Sequence, residues 1–344
     1  MKAFLITWLL TVTITVSVFA QKQVDRVKFF TDTSVVDATL SINYKHLLAR
    51  KDKTGARFPA MFSCKLDDGA AINDHIWVEV RGHFRRKNCD MPPLKLIYKK
   101  DQSDAFYKFK ELKLVGVCVP DNVDEQYLLK EYLIYKIYNL LTDYSFRVRL
   151  LNLTYQDSSG KRKAVTRHAF LMEDIKQVAK RNDCSEWSGA KPVLTERTNR
   201  QLMTTVFIFE YMIGNTDWSV PADHNIKLVQ TNADSTARPF PIPYDFDWSG
   251  LVNAKYAIPD EQLGIESVRE RLYRGFPRTM DELNIALDGF KKQKDNIYAV
   301  INNCSLLHPV FKKEMTDYLD EFYSTISNPK SVEHIFIEDA RKDR

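Results

Sequence analysis

Two polar stretches of this 344-residue chain hold the residue types that chemistry needs. The first is Gly214-Asn215-Thr216-Asp217-Trp218, which follows an apolar run and leads to His224-Asn225. The second is Pro241-Ile242-Pro243-Tyr244-Asp245-Phe246-Asp247-Trp248, an apolar run ending in two carboxylates. Hard cations such as magnesium take oxygen ligands, commonly one or two carboxylates completed by substrate phosphate. An Asn amide and an Asp from adjoining strands offer such a set, and a separate Asp a few ångströms away would orient an acceptor hydroxyl. Phosphoryl transfer asks for these roles, because the protein there mainly positions groups and neutralises charge. The same residues are also turn formers that cap loops through the backbone, and at this level both readings stand.

A basic cluster, Arg81-Gly82-His83-Phe84-Arg85-Arg86-Lys87, precedes Pro92-Pro93-Leu94-Lys95. Basic groups beside a glycine turn can hold phosphates, and a solvated basic hairpin accounts for them equally well. Lys95 alternates with apolar Leu94 and Leu96, so it faces opposite to them. The basic run is short and isolated, which argues against nucleic acid as a partner. The chain has no G-x-G-x-x-G, Walker lysine loop, H-E-x-x-H or G-x-S-x-G, and its seven histidines are scattered.

The elements that must position these groups change period along the chain. Phe58–Leu66, Ile76–Arg81, Leu94–Lys99 and Leu112–Val119 read as strands, and residues 124–141 as an amphipathic helix. Strands return at Phe146–Tyr155 and Ala164–Met172. A helix over Thr198–Ile213 has Thr198 and Asn199 as cap candidates and Gly214 as its stop. Strands at Asn225–Gln230 and Phe240–Asp245 follow. Helices are expected at Ile265–Leu272, Met280–Phe290 and Phe311–Ile326. The order is α+β without alternating βαβ units.

Composition sets the remaining bounds. Hydrophobic residues make up 44% and aromatics 12%, which excludes disorder and supports a sizeable core. The net charge of +5 comes from 50 basic and 45 acidic residues, so no nucleic-acid footprint is required. Residues 1–20 read as a secretory signal, with Lys2, an apolar stretch to Ser17, and Val18-Phe19-Ala20 before Gln21. Export to the periplasm or outside the cell is the expectation, with no later membrane span, since Glu210 breaks the Phe207–Ile213 run. Of the five cysteines, four precede residue 185, which allows up to two bridges in the first half.

Four segments resemble the spore-coat CotH-like family of secreted atypical protein kinases. They are Val80-Arg81-Gly82 through Pro93-Leu94-Lys95-Leu96; residues 124–132; Phe170-Leu171-Met172-Glu173-Asp174-Ile175; and Asn215-Thr216-Asp217 to His224-Asn225 with Pro243-Tyr244-Asp245-Phe246-Asp247. The likeness covers about residues 75–250 and is most specific in the last pair. It implies a two-lobed kinase-like α+β fold, with a strand-rich N-lobe over 21–166, a helical C-lobe over 167–338 and a charged tail over 339–344. It also implies that Lys95 and the Arg81 turn contact nucleotide phosphates, that Glu131 pairs with Lys95, and that Glu173 lies by the adenine. Asp217 would be the catalytic carboxylate. Asn225 and Asp245 would bind Mg or Mn, Asp247 would support a second ion, and ATP would be the phosphoryl donor to a protein Ser or Thr.

The pattern departs from the family in three places. Asp217 and Asn225 stand eight positions apart, against five in kinase catalytic loops, so either the loop bulges or Asp223 takes the Asp217 role. Tyr244 stands for a tryptophan, and His83-Phe84 for small polar residues. A secreted binding protein without catalysis, using the aromatic surface or Arg81–Lys87 to hold a protein partner or an anionic glycan, is the alternative. A phosphohydrolase with water as acceptor is the third.

Overall fold

A computed structural model of the chain describes residues 23–66, 68–82, 84–101, 105–119 and 121–342. The leader expected over 1–20 and the turn residue His83 lie outside the described residues. In chain order the elements are α1 (Arg26–Thr31), β1 (Val36–Ile42), α2 (Tyr44–Ala49), β2 (Arg57–Lys65), β3 (Ala71–Val80), α3 (Phe84–Asn88), β4 (Leu94–Ile97), β5 (Glu111–Gly116), α4 (Asn122–Leu141), β6 (Val148–Asp157), β7 (Val165–Met172), α5 (Ile175–Arg181), β8 (Cys184–Glu186), α6 (Arg200–Ile213), β9 (Ile226–Thr231), β10 (Phe240–Pro243), α7 (Met280–Asn302), α8 (Pro309–Ser327) and α9 (Pro329–Glu333). The first part is strand-rich and the last part helical.

The expected two-lobed kinase arrangement is overturned by the sheet. Strands β1-β2-β3-β4-β5-β7-β6 form a closed barrel, sealed where β1 pairs parallel with β6 in the register Val36↔Leu151 to Ile42↔Asp157. The sequence reading had no strand before Phe58 and so left this sheet open. Val36–Ile42 buries alternate residues as a barrel strand must, but its closing partner lies more than a hundred residues away, beyond any local periodicity. Leu40, Phe62, Val78, Leu96, Leu114 and Leu153 fill the interior.

A second core gathers α4, α6, α7 and α8 around Phe207, Phe209, Phe290 and Phe322. Helix α4 joins this core to barrel strand β7: Tyr135 meets Phe170 of β7 at 5.6 Å and Phe246 at 4.8 Å. Its Lys130 is fully buried, donating to Val252 O at 2.9 Å and to Glu314 Oε2 of α8 at 2.8 Å. Removing one partner of such a pair leaves an uncompensated charge. Glu314→Ala should therefore cost about 3 kcal/mol in chemical denaturation, and a loss below about 1 kcal/mol would mean that Lys130 carries no charge in the fold.

No helix among the described residues is long and apolar enough to cross a membrane. One bridge forms, Cys89–Cys118, while Cys64 and Cys184 are buried thiols and Cys304 is unpaired. The helix expected at Ile265–Leu272 is irregular instead. Arg269 and Arg271 there lie over the Tyr318 ring at 4.3 and 3.5 Å and donate to Gly250 O and Met212 O, so tertiary contacts replace helical ones. The charged tail packs down too: Ala340 is buried, and Arg341 N donates to Gly275 O at 2.9 Å.

Candidate functional site

The site begins where α6 ends. Asn199, rather than Thr198, caps the helix by accepting from Leu202 N at 3.0 Å. Gly214 closes it in the left-handed region at φ 66°, against the Tyr318 ring where a side chain has no room. The next residue, Asn215, is buried and works in both directions. Its Nδ2 donates to Glu210 Oε2 at 2.9 Å, and its Oδ1 accepts from Asp217 N at 3.1 Å.

Asp217 is held from the far side as well. Asn225 Nδ2 donates to Asp217 O at 2.7 Å and to Oδ2 at 3.0 Å, and His224 Nε2 lies 2.7 Å from Oδ1. The eight-residue spacing is taken up by a small hairpin, closed where Ser219 and His224 exchange backbone bonds of 2.9 and 3.0 Å. So the loop bulges. Asp223 turns to Lys191 and Lys227 and does not reach the Asp217 position.

Strands β9 and β10 carry the oxygen pair. Tyr244 N donates to Asn225 O at 2.9 Å, which sets Asn225, just before β9, opposite the end of β10 and one residue from Asp245. Asn225 and Asp245 both have positive φ, 52° and 68°, in the left-handed region that Asn and Asp enter more readily than other L residues. Asp245 N donates to Tyr135 Oη at 2.8 Å, so α4 fixes the bend.

A buried charge cluster backs this bend. Asp247 accepts from Tyr256 Oη at 3.1 Å and lies 3.9 Å from Arg85 Nη1 of α3. Burial, and then the charge of Asp245, push Asp247 up to about 6. Glu131 is also buried, and its Oε1 has no hydrogen-bond partner. Burial, then Asp247 and Asp245, raise it well above the carboxylate range. Burial lowers the Arg81 pKa, and the charge of Asp245 is the strongest to oppose it. The Cys89–Cys118 bridge ties the end of the α3 segment, with Arg85, to the chain beyond β5.

The structure thus brings Arg81, Glu131, Asp245 and Asp247 together and joins Asp217 to Asn225. The expected Lys95–Glu131 pair is not formed. Lys95 sits 3.6 Å from both Glu79 and Glu111, because β4 turns it toward its sheet neighbours. It still lines a cleft of about 260 Å³ with Glu173, Phe146 and Met172. Glu173 spends its carboxylate on Arg147 N (3.1 Å) and Arg181 Nε (3.2 Å), so it braces that cleft from beneath.

Sequence reasoning missed Lys113, the direct cross-strand partner of Lys95. It lines the same cleft and lies 4.3 Å over the Tyr244 ring. Burial, then the charge of Arg81, depress it to about 8. The signal was present, since Leu112-Lys113-Leu114 repeats the alternation that singled out Lys95.

No group of three or more His, Cys, Asp or Glu among the described residues is arranged to hold a metal ion. Asn225 and Asp245 are hard oxygen donors set at neighbouring backbone positions by the Tyr244 N to Asn225 O bond, and the buried Glu131 Oε1 has no hydrogen-bond partner; oxygen donors are the kind that Mg or Mn take. In comparison with known proteins, the chain matches no family model and no curated protein.

Proposed function

We propose that this chain is an exported phosphotransferase that moves the γ-phosphoryl group of a nucleotide such as ATP to a Ser or Thr hydroxyl of a protein. The observation that carries this reading is the half-exposed Asp217, fixed by Asn215, Asn225 and His224. The Asn225 amide bonds Asp217, and the Asn225 carbonyl accepts from Tyr244 N, one residue before Asp245. The resemblance to CotH-like kinases in these two segments points the same way.

In the proposed step Asp217 accepts the proton of the acceptor hydroxyl. The acceptor oxygen bonds the γ-phosphorus as the bond to the β,γ-bridging oxygen breaks, and the nucleoside diphosphate leaves. Asn225 and Asp245 would hold a Mg or Mn ion, with Asp247 beside them, and the ion would supply charge neutralisation for the phosphates. Lys113 and Arg81 bring positive charge to the same edge, and Lys95 to the outer wall of the cleft.

One observation favours a second reading, a secreted binder without catalysis: Lys95 is engaged with Glu79 and Glu111, and Arg85 lies beside Asp247. Thermal unfolding separates the two. At 100 times its dissociation constant a ligand adds about 2.7 kcal/mol. ATP with Mg or Mn should then raise the midpoint by about 5 °C, at about 2 °C per kcal/mol for a chain of this size. No rise with either metal would overturn the transferase reading.

A further inference from the structure

The resemblance to CotH-like kinases implies a second metal ion, supported by Asp247. The surroundings of Asp247 do not fit one, because a protein cation already stands there. Arg85 of α3 sets its Nη1 3.9 Å from Asp247 Oδ2, the oxygen that also accepts from Tyr256 Oη at 3.1 Å. The contact is enclosed: the Arg85 side chain is 14% exposed and that of Asp247 8%. Glu131 and Asp245 act on the same guanidinium, so it answers all three carboxylates of the cluster. Burial works against its charge, yet Tyr256 and then these carboxylates outweigh burial and raise the Arg85 pKa.

Arg85 is also anchored at both ends. Its Nη2 donates to Gly116 O at the end of β5. Its own carbonyl accepts from Cys89 N at 3.0 Å, and Cys89 is bridged to Cys118. Asp90 N donates to Cys118 O at 3.1 Å, a second tie across the same gap. To clear Asp247, the side chain would have to give up the Gly116 carbonyl while its backbone stayed clamped. A divalent ion placed on Asp247 would therefore lie against a held guanidinium, two like charges in a site largely shut off from water. Asp245 is less encumbered, since the cation acting on it, Arg81, turns its Nε to Leu94 O at 3.3 Å.

We infer that Arg85 is the built-in second cation of this site, so that the chain takes one divalent ion with its nucleotide where the resemblance implies two. The inference rests on the transferase reading, which supplies the nucleotide and the first ion. Under that reading the Arg85–Asp247 contact belongs to the working site and is no sign of its loss.

The test is equilibrium dialysis of the full chain against β,γ-imido-ATP with Mn in excess, counting what the protein side retains of each. The parent should hold one Mn per bound analogue. Arg85→Gln, which keeps a donor for the Gly116 carbonyl but no charge, should hold two, a doubling of the ratio. Arg85→Met, which has neither, should match it, so that the doubling follows the charge. Two ions per analogue in the parent would overturn the inference and leave the transferase reading standing. A ratio of one in either folded variant would also overturn it. The thermal midpoint without ligand identifies a variant that has not folded, and the ratio in the parent then decides alone. A parent that retains no analogue overturns the transferase reading, and this inference with it.

Discussion

Asp245→Asn should reduce nucleotide-dependent transfer by about 10²–10³-fold, the loss typical of removing one preorganised electrostatic group from a reacting centre. The amide keeps the shape of the side chain and the bond from the Asp245 backbone to Tyr135, so the bend after β10 survives. What goes is a charged oxygen ligand next to Asn225. Stability should shift by no more than about 1 kcal/mol, because two effects oppose. Arg81 loses its strongest counter-charge, while Asp247 and Glu131 are relieved of a like one. Asp217→Asn should cost about 10²–10⁴-fold in kcat with little change in nucleotide affinity, as expected of a proton acceptor. Radiolabel transfer to a Ser peptide, alongside the thermal midpoint, reads both. Full activity in Asp245→Asn would sink the metal-ligand assignment, and full activity in Asp217→Asn would sink the acceptor role.

Raising the pH from 6 to 8 should destabilise the native chain through Glu210, and Glu210→Gln should remove that part of the slope. Glu210 is buried on α6, with Oε2 bonded to Asn215 and Oε1 without a partner. Burial is the main cause that pushes it up to about 8. Between the ordinary carboxylate range and pH 8 the folded chain keeps a proton that the unfolded chain has released. The stabilisation is complete below that window and is lost as pH rises through it, by about 1.4 kcal/mol per pH unit in its middle. The amide keeps the acceptor for Asn215 and carries no charge, so at pH 9 the variant should exceed the parent by a few kcal/mol in urea denaturation. Parallel slopes for parent and variant between pH 6 and 9 would show that Glu210 ionises freely.

Much of this was legible along the chain. Residues 124–141 announced an amphipathic helix, observed as Asn122–Leu141, and Gly214 announced the stop of α6, because both signals are local. The Asp217–Asn225 pair was legible as residue types, whereas the Ser219–His224 hairpin that reconciles their spacing depends on backbone pairing. Lys113 had the same alternation as Lys95, but only the register across β4 and β5, together with the turn carrying Arg81, distinguishes the lysine near Asp245 from the one among sheet carboxylates. A cavity lined by Arg197, Arg274 and Arg341 was illegible for a similar reason, since these residues meet only after packing, and the helix expected at Ile265–Leu272, just before Arg274, does not form.

The parallel seal between β1 and β6 also bears on how the chain reaches its folded state. Asp37 and Asn152, which meet across that seam at 2.8 Å, are 115 residues apart in sequence. A ribosome adding roughly 5–20 residues per second needs on the order of 5–20 s to produce that interval. Until Val148–Asp157 is made, β1 has an open edge whose backbone groups no later strand has yet covered. The nascent first half therefore stays unfinished for most of its synthesis, dependent on a late strand before its hydrophobic interior can shut. This delay makes that same interval the one in which aggregation competes with closure of the barrel.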